Sequence, residues 1–86
     1  MSNQSAKKRE RQEAKRRLRN RAAKSTMRTA IKKFNAAVAA GDKAGAADAM
    51  ALSCKLLDKV SGKGIIHRNT AARKKSRLAH AYNKMV

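Results

Sequence analysis

The sequence holds 86 residues, room for one small domain, since a chain this short buries only a modest fraction of its surface on folding. It carries 23 Lys and Arg against 5 acidic residues, a formal net charge of +18, and a compact state so charged repels itself in isolation. A second domain is excluded and an anionic partner is implied.

Composition narrows that partner. A helix lying on a membrane surface pairs its basic face with a Trp- or Phe-rich apolar one, and this chain has no Trp, one Phe and one Tyr. Nucleic acid is therefore favoured over a membrane. Readers of single strands stack successive bases on aromatic rings, so contact with phosphates and grooves is the expected mode. The chain has no apolar run of about eighteen residues, and Lys7, Lys8 and Arg9 stand where a signal peptide would place its apolar core; a cytosolic protein is expected. Cys54 has no second cysteine to pair with, and with His67 and His80 it gives no metal-ligand spacing, so no metal and no cofactor are expected and Cys54 reads as an inert small hydrophobe.

Proline is absent and Ala, Lys, Arg, Leu and Met dominate, which makes helix the default. Gly41 suits a left-handed helix end and Asp42 the N-cap of the next helix. Ser61-Gly62-Lys63-Gly64 forms the second break. Three helices are expected, over residues 5–40, 43–60 and 66–84. The charge divides along the same lines: residues 1–33 hold thirteen basic and two acidic groups (+11), 34–62 three of each (0), and 63–86 seven basic and none acidic (+7). The second helix is thus assigned to protein and solvent, and nucleic-acid contact to the first helix and the start of the third.

In the first helix, Ala23, Met27, Ile31, Phe34 and Val38 share a stripe less than about 100° wide, the mark of a packed face. Toward the N-terminus the same stripe carries Asn20, Arg16, Glu13 and Arg9, charges that a core would not accept unpaired. The first half must leave the bundle. At about 1.5 Å per residue the first helix spans roughly 54 Å and the second roughly 27 Å, an overhang of about 25 Å. The chain is accordingly divided into a basic arm, residues 1–22, and a bundle, residues 23–86. Cations surround the arm, and like charges three and four residues apart destabilise an isolated helix, so the arm is expected to fray until an anion neutralises it.

The second helix gathers Ala46, Ala49, Met50, Ser53, Leu56, Leu57 and Val60 on one side, opposite Asp48, Lys55, Asp58 and Lys59. The third gathers Ala71, Leu78, Tyr82, Met85 and Val86, with Arg73, Arg77, His80 and Lys84 largely opposite. Lys75 falls on the apolar side and must snorkel outward or mark the bundle's edge. Small alanines in all three stripes point to close helix approach, and the expected fold is all-α, a three-helix bundle with a long N-terminal helix projecting beyond it.

The basic run carries the main functional signal: Lys7, Lys8, Arg9, Arg11, Lys15, Arg16, Arg17, Arg19, Arg21 and Lys24. A solvated tail would share this composition, but a tail needs no continuous helical period leading into a core stripe. Asn20-Arg21-Ala22-Ala23-Lys24-Ser25 with Arg28 superficially matches the DNA-reading region of leucine-zipper factors. The alanines come one position too early for that pattern, and Gly41-Asp42 ends the helix where a zipper must continue. The second basic segment, Lys63-Gly64-Ile65-Ile66-His67-Arg68-Asn69, opens the third helix, whose free amides could meet a phosphate beside His67, Arg68 and Asn69. Gly64 could equally serve only to turn the chain, and Ile65 and Ile66 only to staple the helix start. No nucleophile or acid partner accompanies His67 in a catalytic constellation, so no enzyme activity is expected.

Taken in order, several segments resemble the bacterial small-subunit ribosomal protein family twenty (S-twenty). They are Ser5-Ala6-Lys7-Lys8-Arg9, Met27-Arg28-Thr29 with Ile31-Lys32-Lys33, Gly41-Asp42-Lys43, Asp58-Lys59 with Lys63 to Asn69, and Ala71-Ala72-Arg73-Lys74-Lys75-Ser76-Arg77-Leu78. The resemblance covers nearly the whole chain. It implies a structural protein of the cytoplasmic small ribosomal subunit that binds 16S rRNA early in 30S assembly, touching the 5′ domain and the penultimate helix of the 3′ minor domain. It implies RNA contacts at Lys7, Lys8, Arg9, Lys15, Arg16, Arg17, Asn20, Lys24, Arg28, His67, Arg68, Asn69, Arg73, Lys74 and Arg77. Arg11, Arg19, Arg21 and Lys63 join that set from the charge pattern alone. Gly45 and Cys54 depart from many members and bear on local stability. The rival from a different class is a DNA-compacting protein, which would use the same small basic helices.

Overall fold

The computed structural model describes residues 2–85, with side chains described over 6–85. It is all-helical over that span: α1 Ser2–Ala39, α2 Lys43–Gly62 and α3 Arg68–Asn83. Val86, which sequence placed on the apolar side of the third helix, lies outside the described residues.

Both inter-helix turns are closed by a glycine in the left-handed region, at Gly41 (φ 73°) and Gly64 (φ 74°). At the first, the Gly41 amide donates to Val38 O (3.1 Å) and the Asp42 amide to Ala37 O (2.9 Å). At the second, Gly64 donates to Ser61 O and Ile65 to Val60 O, both at 3.0 Å. This paired pattern is the Schellman motif, which satisfies the last carbonyls of a helix and favours an apolar residue just beyond it, here Ile65 over Val60. It also corrects the second boundary. The terminator is Gly64 and not Gly62, so α2 continues to Gly62 where sequence ended it at residue 60.

The helix starts are capped by side chains. Asp42 Oδ1 accepts from the Gly45 amide at 3.0 Å. At α3 the cap is His67, whose Nδ1 accepts from the Asn69 amide at 3.1 Å. The helix therefore begins at Arg68, two residues later than the sequence reading, with Ile65 and Ile66 in the linker.

The core consists of Met27, Ala30 and Phe34 from α1, Ala46, Leu57 and Val60 from α2, and Ala71 and Leu78 from α3, with Ser53 buried among them. Phe34 is fully buried, worth about 3 kcal/mol relative to exposure. Ala23, Ile31 and Val38 pack against the core while half-buried. The stripe read from sequence thus marks the packed side of α1, with Ala30 added to it.

The helix α2 is the central element: it packs against both α1 and α3, whereas the backbones of α1 and α3 approach each other only slightly. The bundle is consequently open along one side, between α1 and α3. Lys75, misplaced on the helical wheel, is half-buried at the α2–α3 boundary, where its Nζ bonds Asp58 Oδ1 at 2.8 Å. That hydrogen bond, with the carboxylate's charge, raises the Lys75 ammonium above its ordinary 10.5. At the other end, Lys43 sits over the Tyr82 ring, 5.7 Å from its centroid, within cation–π range.

Every residue from Ala6 to Arg19 is exposed, and the first buried side chain of α1 is Met27. The Cα trace extends 65 × 21 × 14 Å. α1 runs past the end of α2 because its 38 residues exceed the 20 of its partner.

Candidate nucleic-acid interface

The open side of the bundle determines where cations collect. Helix α1 presents Lys24, Arg28 and Lys32 at intervals of four residues, one ridge beside the Met27 and Ile31 stripe. Across the opening, α3 presents Lys74 and Arg77. Between these rims lies a groove floored by Met27, Ile31, Phe34, Ile66, Leu78 and Ala81, whose two hollows measure about 340 and 230 Å³.

Toward the N-terminus the groove continues. A hollow of about 400 Å³ is lined by Arg17, Asn20, Arg21, Lys24 and Arg28. A larger one, about 600 Å³, lies between α1 and the α2–α3 linker, lined by Arg16, Arg19, Asn20, Ala23, Lys63, Gly64 and Ile65. Neighbouring hollows share walls: Asn20 belongs to both the 600 and the 400 Å³ hollow, Lys24 and Arg28 join the 400 Å³ hollow to the groove, and Ile31 and Lys74 join the groove's halves. The four make one continuous channel. Ten cations line it (Arg16, Arg17, Arg19, Arg21, Lys24, Arg28, Lys32, Lys63, Lys74 and Arg77) and no carboxylate does.

Such a channel has a direct electrostatic consequence. Cations facing one another across a gap raise the local potential and favour an anion between them. Their spacing along about 24 Å of α1 (Arg16 to Lys32, 1.5 Å per residue) suits a chain of phosphates better than one small ion. The apolar floor is shallow and unbroken by carboxylates, so sugar faces can lie on it without desolvating a charge.

Of the nineteen sequence-derived candidates, ten line the channel: Arg16, Arg17, Arg19, Asn20, Arg21, Lys24, Arg28, Lys63, Lys74 and Arg77. Lys7, Lys8, Arg9, Arg11 and Lys15 are exposed on the extension of α1 beyond it. Arg73 is exposed one turn before Arg77, outside the hollows, and Arg68 and Asn69 occupy the exposed first turn of α3. His67 has a different local task from the donor role expected of it. Its Nδ1 accepts from the helix start, which leaves Nε2 as the ring's donor. Lys32 was missed. Its signal was the four-residue spacing from Lys24 and Arg28, which places it on the same rim.

Among the described residues, Leu18 and Leu52 are the large apolar side chains left exposed; standing singly, they need no partner. Among the described residues, no group of three or more His, Cys, Asp or Glu could hold a metal ion, and no helix is long and apolar enough to cross a membrane.

Comparison with known proteins bears on the same span. The family model described as ribosomal protein S20 matches residues 2–83. A protein of Mycobacterium tuberculosis named small ribosomal subunit protein bS20 is 52% identical over 81 residues, 94% of each chain. Proteins of the same name from Corynebacterium diphtheriae (56% identical over 69 residues, 80% of this chain and 79% of the relative) and Corynebacterium efficiens (50% over 78 residues, 91% and 90%) are similar to it as well. The matched region takes in all three helices and the whole channel, and the chain belongs to the ribosomal protein S20 family.

Proposed function

We propose that this chain is a structural constituent of the cytoplasmic small ribosomal subunit, binding 16S rRNA directly through the α1–α3 channel and the basic extension of α1. The observation that carries this reading is the channel itself: ten cations and no carboxylate along one continuous surface. No chemical step is involved. The bundle, residues 23–86, sets the direction of α1, and the arm, residues 1–22, enters between RNA helices. Phosphates neutralised by Arg and Lys then let those helices pack together during 30S assembly. The 5′ domain and the penultimate helix of the 3′ minor domain are the RNA elements proposed to meet there. Selectivity comes from RNA shape, since phosphate contacts position a protein without reading bases.

Competition binding tests the reading. The folded 5′ domain of 16S rRNA is expected to displace a labelled RNA probe at far lower concentration than duplex DNA of equal length. Equal displacement by both would refute it in favour of a DNA-compacting role.

A further inference from the structure

We infer that the hollow at the root of the arm is a seat for a phosphodiester of the bound RNA, shared by Arg16 and Arg19 on α1 and Lys63 on the α2–α3 linker. The inference rests on the RNA-binding reading above and adds one specific joint to it: the nucleic acid, rather than protein, completes the contact between arm and linker.

The wall on the α1 side is the polar continuation of the core stripe. Met27 and Phe34 face protein, Ala23 is half-buried, and then Asn20 and Arg16 occupy the same side of the helix where the bundle ends. Opposite them stands the linker, which is stiff. The amides of Lys63, Gly64 and Ile65 donate to Lys59 O, Ser61 O and Val60 O at 3.1, 3.0 and 3.0 Å, and Gly64 is fixed in the left-handed region. Those amides are therefore spent within α2, and any anion in the hollow must be held by side chains. Arg offers a planar fork matched to two phosphate oxygens, and Lys a compact point charge.

The hollow's walls carry three cations, one amide side chain and no acid. Across such a gap the two walls repel, and an anion between them reverses the sign of the interaction. Its volume, about 600 Å³, exceeds the need of a lone ion and admits a phosphodiester with its flanking sugars.

A phosphate shared by two side chains makes their losses non-additive, because each substitution removes part of the same contact. The test is a double-mutant cycle on the full chain with Arg16→Gln and Lys63→Gln, both at exposed positions, using the folded 5′ domain of 16S rRNA as probe. The double variant is expected to lose about fivefold less affinity than the product of the single losses. Its log-log salt slope should shallow by about one rather than about two. Arg16→Gln with Arg77→Gln, at opposite ends of the channel, serves as the control pair and should multiply. Multiplicative losses for Arg16 and Lys63, with a slope change of about two, would overturn the shared seat while leaving RNA binding intact. Absence of binding by the unsubstituted chain would overturn the RNA reading and this inference with it. Replacing chloride by inorganic phosphate at matched ionic strength separates the sources of phosphate: coupling should persist, and its disappearance would assign the seat to free phosphate and overturn the RNA assignment.

Discussion

Removing charge from the channel should change the salt dependence of RNA binding by a calculable amount. Ten cations line the linked hollows, and each phosphate neutralised contributes about −0.7 to −0.9 to the slope of log K against log salt. With Arg16, Arg19 and Lys63 sharing one phosphate and each of the other seven cations meeting its own, the channel neutralises about eight phosphates and should give a slope near −6 to −7. Lys24→Gln, Arg28→Gln, Lys74→Gln and Arg77→Gln together strip the groove between α1 and α3 while leaving its apolar floor in place, and should shallow the slope by about three. Arg28 and Arg77 are exposed, and Lys24 and Lys74 are half-buried beside core residues, so circular dichroism melting of the free variant should first establish that the bundle persists. Filter binding or fluorescence anisotropy at several salt concentrations then gives the slope. A slope shallower than −3 for the unsubstituted chain, or an unchanged slope in the quadruple variant, would refute the electrostatic account.

Three further outcomes follow from the fold. Ser53 is fully buried and its Oγ has no hydrogen-bond partner, so Ser53→Ala should stabilise the bundle by about 1 kcal/mol, raising Tm by about 4–8 °C; a fall in Tm would show that the hydroxyl is satisfied in solution. His67→Ala removes the α3 cap and should cost about 1 kcal/mol, with His67→Asn restoring most of it by melting temperature; equal loss in both would mean that the imidazole packs rather than caps. The arm has no buried side chain to support it between Ala6 and Arg19, and like charges at helical spacing oppose it, so circular dichroism should gain helical signal when RNA is added to the free chain. Full helicity at low salt without RNA would contradict that.

Local chemistry was the most legible part of the sequence. Gly41-Asp42 announced a left-handed helix end and an N-cap because those residue types have few other uses side by side, and both are found in place. The stripe through Met27, Ile31 and Phe34 located the packed face of α1, since a helix has one repeat and its apolar residues must share a side. Less legible were properties that depend on a second segment. The end of α2 turned on which of two glycines adopts positive φ, and composition does not distinguish Gly62 from Gly64. Lys75 looked out of place on its own helix, because its partner Asp58 lies seventeen residues earlier across the α2–α3 boundary. The imidazole of His67 suggested a ligand contact, whereas the structure employs one of its nitrogens at the helix start.

The channel follows the same division. Its cations were recognised singly from charge and periodicity, but their continuity arises from α2 lying between its neighbours and leaving α1 and α3 apart. A helical wheel contains no information about that opening. Lys32, absent from the contacts expected from sequence, became a channel residue only once Ile66 and Lys74 were found opposite it.

Chemical footprinting of 16S rRNA with and without the full chain is the decisive experiment. Protection is expected at backbone positions on two RNA elements that the channel and arm bridge together, diminished in the groove-stripped quadruple variant. Footprints indifferent to those four substitutions, or no protection by the unsubstituted chain, would contradict it.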